Sequence, residues 1–154
     1  MYKSRKPPLG VSIGMALCVA IMATGAHADA ANDLRDAAAR GDNARVSELL
    51  DQGAAVDPAT AGPRTALMEA ANRGLVETVK RLLAAGAKVD TVDRKQRTAL
   101  ILATNAGHNE VVALLLGAGA NPAISDANGK SALHWAALRG RIETARLLLA
   151  SHAD

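Results

Sequence analysis

Aromatic residues are nearly missing from this chain. Its 154 residues include no Phe, one Tyr and one Trp. Tyr2 lies at the extreme N-terminus, so Trp135 alone supplies a ring to the rest. The core must therefore be built from Leu, Val and Ala. The same shortage removes the platforms on which single-stranded nucleic acids stack. Cysteine is equally scarce: Cys18 is the only one, and bulky Leu17 before it disfavours a lipid-modified N-terminus. Beyond Cys18, no disulfide, cysteine nucleophile or thiolate metal site can form. A basic excess is lacking too, once its source is located. The chain has 18 Lys plus Arg against 15 Asp plus Glu, but Lys3, Arg5 and Lys6 all precede the first acidic residue, Asp29. From Asp29 onward the two signs balance. A general nucleic-acid binder carries a net basic footprint, and this segment has none.

The N-terminal stretch reads as an export leader. A short positive segment, 1–8, precedes the uncharged and mostly apolar run 9–25, and Ala26-His27-Ala28 has the small-x-small form of a signal-peptidase site. Residues 1–28 are thus expected to be a signal peptide cleaved before Asp29. The apolar run stands at the lower limit for spanning a bilayer, about 17 to 25 residues, so a retained anchor is the competing reading. Either way the positive flank stays inside and the rest is exported. A periplasmic or secreted location follows as the expectation, with no stable membrane insertion after cleavage.

The remainder repeats every 33 residues. Gly41, Gly74, Gly107 and Gly140 hold that step, as do Leu34, Leu67, Leu100 and Leu133. Two neighbouring leucine columns run through Leu49, Leu82, Leu115 and Leu148 and through Leu50, Leu83, Leu116 and Leu149. A second glycine column, Gly53, Gly86 and Gly119, ends at His152 beside the unbroken Ala54, Ala87, Ala120 and Ala153. Several columns in phase are the signature of a stacked array.

Each unit reads as two short helices. Thr65, Thr98 and Ser131 are placed to cap the first by accepting from a free backbone N–H. That helix stops at the Gly74 column, where a left-handed residue is needed. The second carries Val76, Val79, Leu82 and Leu83, echoed by Val112, Leu115 and Leu116 and by Ile142, Leu148 and Leu149. Glu77, Glu110 and Glu143 occupy its first turn, where the helix dipole favours negative charge. Neither helix is long enough to be stable alone, so each must bury its face on a neighbouring unit. Charged residues in the first unit (Asp33, Arg35, Asp36, Arg40) and in the last (Arg139, Arg141, Arg146) read as the polar outer faces that the ends of a stack require.

Thr65-Ala66-Leu67-Met68-Glu69-Ala70-Ala71 with Gly74, and Leu82-Leu83-Ala84-Ala85-Gly86-Ala87, resemble the ankyrin repeat. Ser131-Ala132-Leu133-His134-Trp135-Ala136-Ala137 is the nearest to its T-P-L-H-x-A-A pattern. The resemblance covers essentially 32–154. It implies an all-α solenoid of about four repeats, helix–turn–helix units with hairpin-like loops along one edge. The units are drawn as 29–59 (N-terminal cap), 60–92, 93–125 and 126–154. Ala66, Ala99 and Ala132 depart from the family's proline, and Met68 and Ile101 from its histidine, leaving local histidine bonding at His134 alone.

Catalysis and metal binding find little support. His108, His134 and His152 fall at three different repeat positions, whereas a metal needs converging ligands. Gly117-Ala118-Gly119 follows a helix rather than a strand, so it is a helix terminator and not a nucleotide loop. Asp57, Asp90, Asp93 and Asp126 read as turn formers. Trp135 stands where Leu102 stands one unit earlier, which favours packing over recognition. We expect no enzyme activity, cofactor or metal.

The functional signal is basic charge in register. Arg64, Arg97 and Lys130 share one position, with Arg94 and Lys95 nearby, and Arg40, Arg73 and Arg139 share another. The resemblance places both columns on a concave recognition face, with the glutamates on the other helix. It implies partner-binding residues Arg64, Asn72, Arg73, Arg94, Lys95, Arg97, Asn105, Lys130, Leu138 and Arg139. The expected function is a monomeric, non-catalytic protein-interaction module: an adaptor, inhibitor or stabilising companion of a periplasmic or envelope protein with an acidic surface. Binding of anionic envelope polymers or lipid headgroups is the alternative, and nucleic acid is not expected as a partner.

Overall fold

A computed structural model describes residues 29–57 and 64–151. The leader with Cys18 and its cleavage site, the boundary at 59/60, and His152 and Ala153 lie outside the described residues. Eight helices follow one another in pairs: α1 over 29–40, α2 Asn43–Asp51, α3 Ala66–Arg73, α4 Val76–Ala84, α5 Ala99–Ala106, α6 Asn109–Gly117, α7 Ala132–Leu138 and α8 Ile142–Ala150. The described residues contain no strand, and their one β feature is a single bridge between Ser125 and Ser131.

The local chemistry recurs from unit to unit. Thr65, Thr98 and Ser131 sit in extended backbone and accept from the N–H groups of Met68, Ile101 and His134. Gly74 and Gly107 close α3 and α5 in the left-handed region, at φ of 71° and 87°. The following N–H then reaches back to a helical carbonyl: Leu75 to Ala70 and His108 to Ala103, both at 3.0 Å, and Arg141 to Ala136 at 2.8 Å. This tight turn satisfies carbonyls that a helix end leaves free and starts the second helix at once. Glu77, Glu110 and Glu143 lie in the first turns of α4, α6 and α8, as the dipole argument requires.

First helices pack on first helices, α3 on α5 and α5 on α7; second helices do likewise, α2 on α4, α4 on α6 and α6 on α8. One continuous core results. Leu34, Leu67, Leu82, Leu100, Leu115 and Leu148 are all essentially inaccessible, and Ala70, Ala71, Ala103 and Ala136 of the first helices are fully buried in the same core. Two members of the expected second-helix cluster do not join it: Ile142 is 67% and Leu149 57% exposed. Burial in this array comes from the next unit, and among the described residues none stands beyond α8.

Units also lock by shape. A Cβ added to Gly74 would meet the His108 ring at 2.5 Å, and one at Gly107 the Arg141 guanidinium at 2.6 Å. His108 Nε2 lies 3.2 Å from the Asn72 carbonyl, so that nitrogen donates across the seam. Thr78 donates to Asn43 at 2.7 Å, and Thr144 to Asn109, two units on. Between them the same two positions hold Val76 and Val111. Polar meets polar and apolar meets apolar, so no polar group is stranded at these pairs. Elsewhere two buried side-chain oxygens among the described residues have no hydrogen-bond partner: Asp57 Oδ1, and the hydroxyl of Thr104 in α5, where neighbouring units have Ala71 and Ala137.

Two stability measurements check this packing. Gly74→Ala and Gly86→Ala both force Ala into a left-handed conformation, at about 1 to 2 kcal/mol. Gly86 has open space around its missing Cβ, whereas Gly74→Ala must also displace His108, losing a hydrogen bond worth about 1 kcal/mol. Denaturant melts should show Gly74→Ala as the more damaging; equal losses contradict the interlock. Thr104→Val keeps the shape and removes the stranded hydroxyl, so it is expected to stabilise by about 1 kcal/mol, and a lowered melting midpoint counts against that reading.

Candidate functional site

The hairpin loops before α5 and α7 are built by one aspartate each. Asp93 Oδ1 accepts from the N–H groups of Lys95 (2.8 Å) and Arg97 (3.0 Å), while Asp126 Oδ1 accepts from Asn128 (2.9 Å) and Lys130 (3.0 Å). The turn residue between them is left-handed in both loops, Gln96 at φ 57° and Gly129 at φ 72°. Adjacent hairpins are then tied together, the N–H of Ala127 donating to the carbonyl of Lys95 at 2.9 Å. Asp93 and Asp126 are thus the turn formers expected of them. Asp57 and Asp90 do something else: they accept from Lys88 N–H (2.7 Å) and Asn121 N–H (2.9 Å) of the following unit. Their position in a loop gave no sign of this seam role.

The second carboxylate oxygens differ, and with them the fate of the basic column. Asp93 Oδ2 takes Arg97 through Nε at 3.0 Å and Nη2 at 2.7 Å. Arg64 lies 3.8 Å from the same oxygen and 3.7 Å from Glu69, a glutamate on the first helix of its unit. Arg64 and Arg97 are therefore half-buried and paired, and much of the field expected from them is neutralised within the protein. Asp126 Oδ2 instead accepts the Trp135 indole N–H at 2.9 Å. That leaves Lys130 free of the carboxylate, and its ammonium lies 5.1 Å from the Trp135 ring centroid. The Arg139 guanidinium lies 5.8 Å from that centroid, and its Nε donates to Asn105 at 2.9 Å. Cations near an aromatic face are attracted by the ring quadrupole.

The structure thus joins Asn105, Lys130, Trp135 and Arg139 into one patch, half-buried at the ring and exposed at the arginine. Trp135 packs on the core as expected, yet it is also the centre of this patch, which the Leu102 comparison did not reveal. Its signal was the lone aromatic beside a Lys and an Arg at registered positions. Arg94 and Lys95 are exposed on the hairpin before α5, and Arg73 is exposed at the end of α3. Asn72 and Asn105 both face seams, through a main-chain and a side-chain oxygen respectively. Leu138, 61% exposed, holds the equivalent position in the last unit. His134 bonds locally: its Nδ1 accepts from Ser131 N–H and lies 2.8 Å from Ser131 Oγ, completing the helix cap. No group of three or more His, Cys, Asp or Glu side chains placed to hold a metal occurs among the described residues.

Two overlapping stretches, 34–126 and 67–154, match the family model described as ankyrin repeats (3 copies). No curated protein matches the chain.

Burial pushes the Asp93 carboxyl up, but the Arg97 guanidinium and the N–H groups of Arg97 and Lys95 outweigh it and hold it below the ordinary carboxylate range. At Asp126 burial is likewise outweighed, by Lys130 N–H, the Trp135 indole and Asn128 N–H. Groups with a lowered folded pKa stabilise above their unfolded value, near about 3.9, and lose that contribution as pH falls through the folded one. The melting temperature should therefore hold steady from neutrality to about pH 5 and drop below about pH 4. Asp93→Asn with Asp126→Asn should flatten that acid limb; an unchanged slope in thermal melts contradicts the assignment.

Proposed function

The chain belongs to the ankyrin-repeat family, and from that premise we propose that it is an exported, non-catalytic interaction module. It acts as adaptor, inhibitor or stabilising companion to a periplasmic or envelope protein. Ankyrin repeats mediate binding to other proteins, and the family is generally non-catalytic. Export is supported by Lys3, Arg5 and Lys6 before the apolar run 9–25 and by the small-x-small site at 26–28.

One observation carries the reading of the binding face: Trp135, held by Asp126 and flanked by Lys130 and Arg139. A half-exposed indole fixed in one orientation loses little entropy when a partner covers it, and Trp and Arg are the residues enriched at binding hot spots. Its two cations favour a partner that presents carboxylates around an apolar contact, and they speed the encounter. Arg73, Arg94 and Lys95 extend the same positive character along the stack. The internal pairing of Arg64 and Arg97 weighs against a polymer or headgroup binder, which needs many free cations.

The test uses the chain expressed from residue 1, purified after whatever processing its leader undergoes, as bait against the native envelope fraction. We expect a partner bound at fixed stoichiometry. Trp135→Ala should weaken it by about 2 kcal/mol or more, roughly thirtyfold in Kd, and the charge reversal Arg139→Glu should slow association. Capture that ignores both substitutions counts against this face. Steep salt dependence without stoichiometry points to the anionic-polymer reading instead.

A further inference from the structure

Resting on the binding-face reading above, we propose that the Trp135 patch takes a short extended segment of the partner with the pattern acid–x–apolar–x–acid, and that Asn105 positions Arg139 for one of its carboxylates. The groups that such an anchor needs occur together once. Lys130, Trp135 and Arg139 correspond to Arg97, Leu102 and Ala106 in the third unit, and to Arg64, Glu69 and Arg73 in the second. In the third unit the arginine is consumed by Asp93, the leucine is buried and the last position carries no charge. In the second, Arg64 is shared between Glu69 and Asp93, and the middle position is that glutamate rather than a ring. One such set per chain means one segment per chain.

The cations of the patch are uncommitted. Asp126 is already met by the Asn128 and Lys130 main-chain N–H groups and by the indole. Neither the Lys130 ammonium nor the Arg139 guanidinium enters an ion pair among the described residues. The patch also stands on a completed seam, because Arg139 Nε donates back to Asn105 Oδ1 of the third unit at 2.9 Å. With Nε occupied, the guanidinium is held in one orientation and its two Nη groups remain as a fork for a carboxylate, a pairing that lysine cannot make. A neutral amide suits this task. An aspartate at the same place would consume the charge, as Asp93 consumes that of Arg97.

Length selects the segment. Lys130 precedes α7 and Arg139 is its C-cap; from the N-cap Ser131 to Arg139 the helix rises about 12 Å. Four steps of an extended strand advance about 13 Å, and residues i, i+2 and i+4 face one side. Carboxylates at i and i+4 therefore reach the two cations while the side chain between them lies on the ring, whose centroid is 5.1 Å from the Lys130 ammonium and 5.8 Å from the Arg139 guanidinium.

Trp135 is the only tryptophan in the chain, so its emission reports the site. The chain expressed from residue 1 and purified after processing is titrated with the end-capped peptide Ser-Glu-Ser-Leu-Ser-Glu-Ser, calorimetry giving a second readout. Binding should saturate at one peptide per chain. The same peptide with both Glu replaced by Gln should bind at least about tenfold more weakly. Arg139→Lys and Asn105→Ala should each weaken binding about tenfold with helical circular dichroism unchanged, and the double variant should bind no worse than Arg139→Lys alone, because Asn105 acts through the fork. No saturation by either readout overturns the proposal, as do equal affinities for the Glu and Gln peptides. Additive losses in the double variant overturn the positioning role of Asn105. In the envelope capture, excess peptide should displace the partner. A partner that needs Trp135 yet ignores the peptide overturns the segment and leaves the binding-face reading standing.

Discussion

The seam between units is what the rest of the structure depends on. Helices of seven to nine residues, such as α7 with 7 and α4 with 9, are too short to persist alone in water, and a single pair encloses no core. Stability in such an array is approximately the sum of weak units and favourable contacts between neighbours. That requirement accounts for the composition. Ala70, Ala71, Ala103 and Ala136 of the first helices are buried in one core with the leucines of both helices.

The polar stitching sets how rigidly the loops are held. Asp93 and Asp126 close their own hairpins, the Ala127–Lys95 bond joins one hairpin to the next, and Asp57 and Asp90 bind the N–H groups of the following unit. Loops that would otherwise lose much entropy on binding are therefore already fixed. A surface ordered in advance spares that loss when a partner arrives. The link from packing to function thus runs through the aspartates: they give up two exposed charges and obtain a shaped edge.

What the sequence made legible was local or strictly periodic. The caps Thr65, Thr98 and Ser131, the left-handed Gly74 and Gly107, and the acidic first turns each involve residues within about one helical turn, and the structure has all of them. Bonds 31 to 36 residues apart were not legible as pairs. Nothing in the identity of Asp90 says that it reaches Asn121, or in that of His108 that it lies on Gly74 and reaches Asn72. The basic columns were read correctly as registered positions, yet registration says nothing about neutralisation. Arg64 and Arg97 share a column with Lys130 and are paired, while Lys130 is not. The last unit was legible in part: Arg139, Arg141 and Arg146 are exposed there, but Arg139 and Arg141 also reach back onto the third unit, a bond across the seam that counting arginines does not show.

The contrast between Arg97 and Lys130 has a physical cause that a single position cannot show. Each hairpin aspartate uses Oδ1 for the loop and leaves Oδ2 in need of a donor, because a buried carboxylate oxygen without one is costly. In the third unit the residue nine places on is Leu102, which has no donor, so the oxygen takes a bidentate arginine, Arg97. In the fourth unit that place is Trp135, whose indole supplies the N–H. The basic residue is then released from the carboxylate, and a lysine, which lacks the planar fork of arginine, suffices to lie over the ring. One exchange, Leu for Trp, thus turns an internally neutralised loop into an aromatic patch flanked by cations. The lone tryptophan and the lysine in the arginine column thus meet at one carboxylate, the indole on Oδ2 and the lysine main-chain N–H on Oδ1.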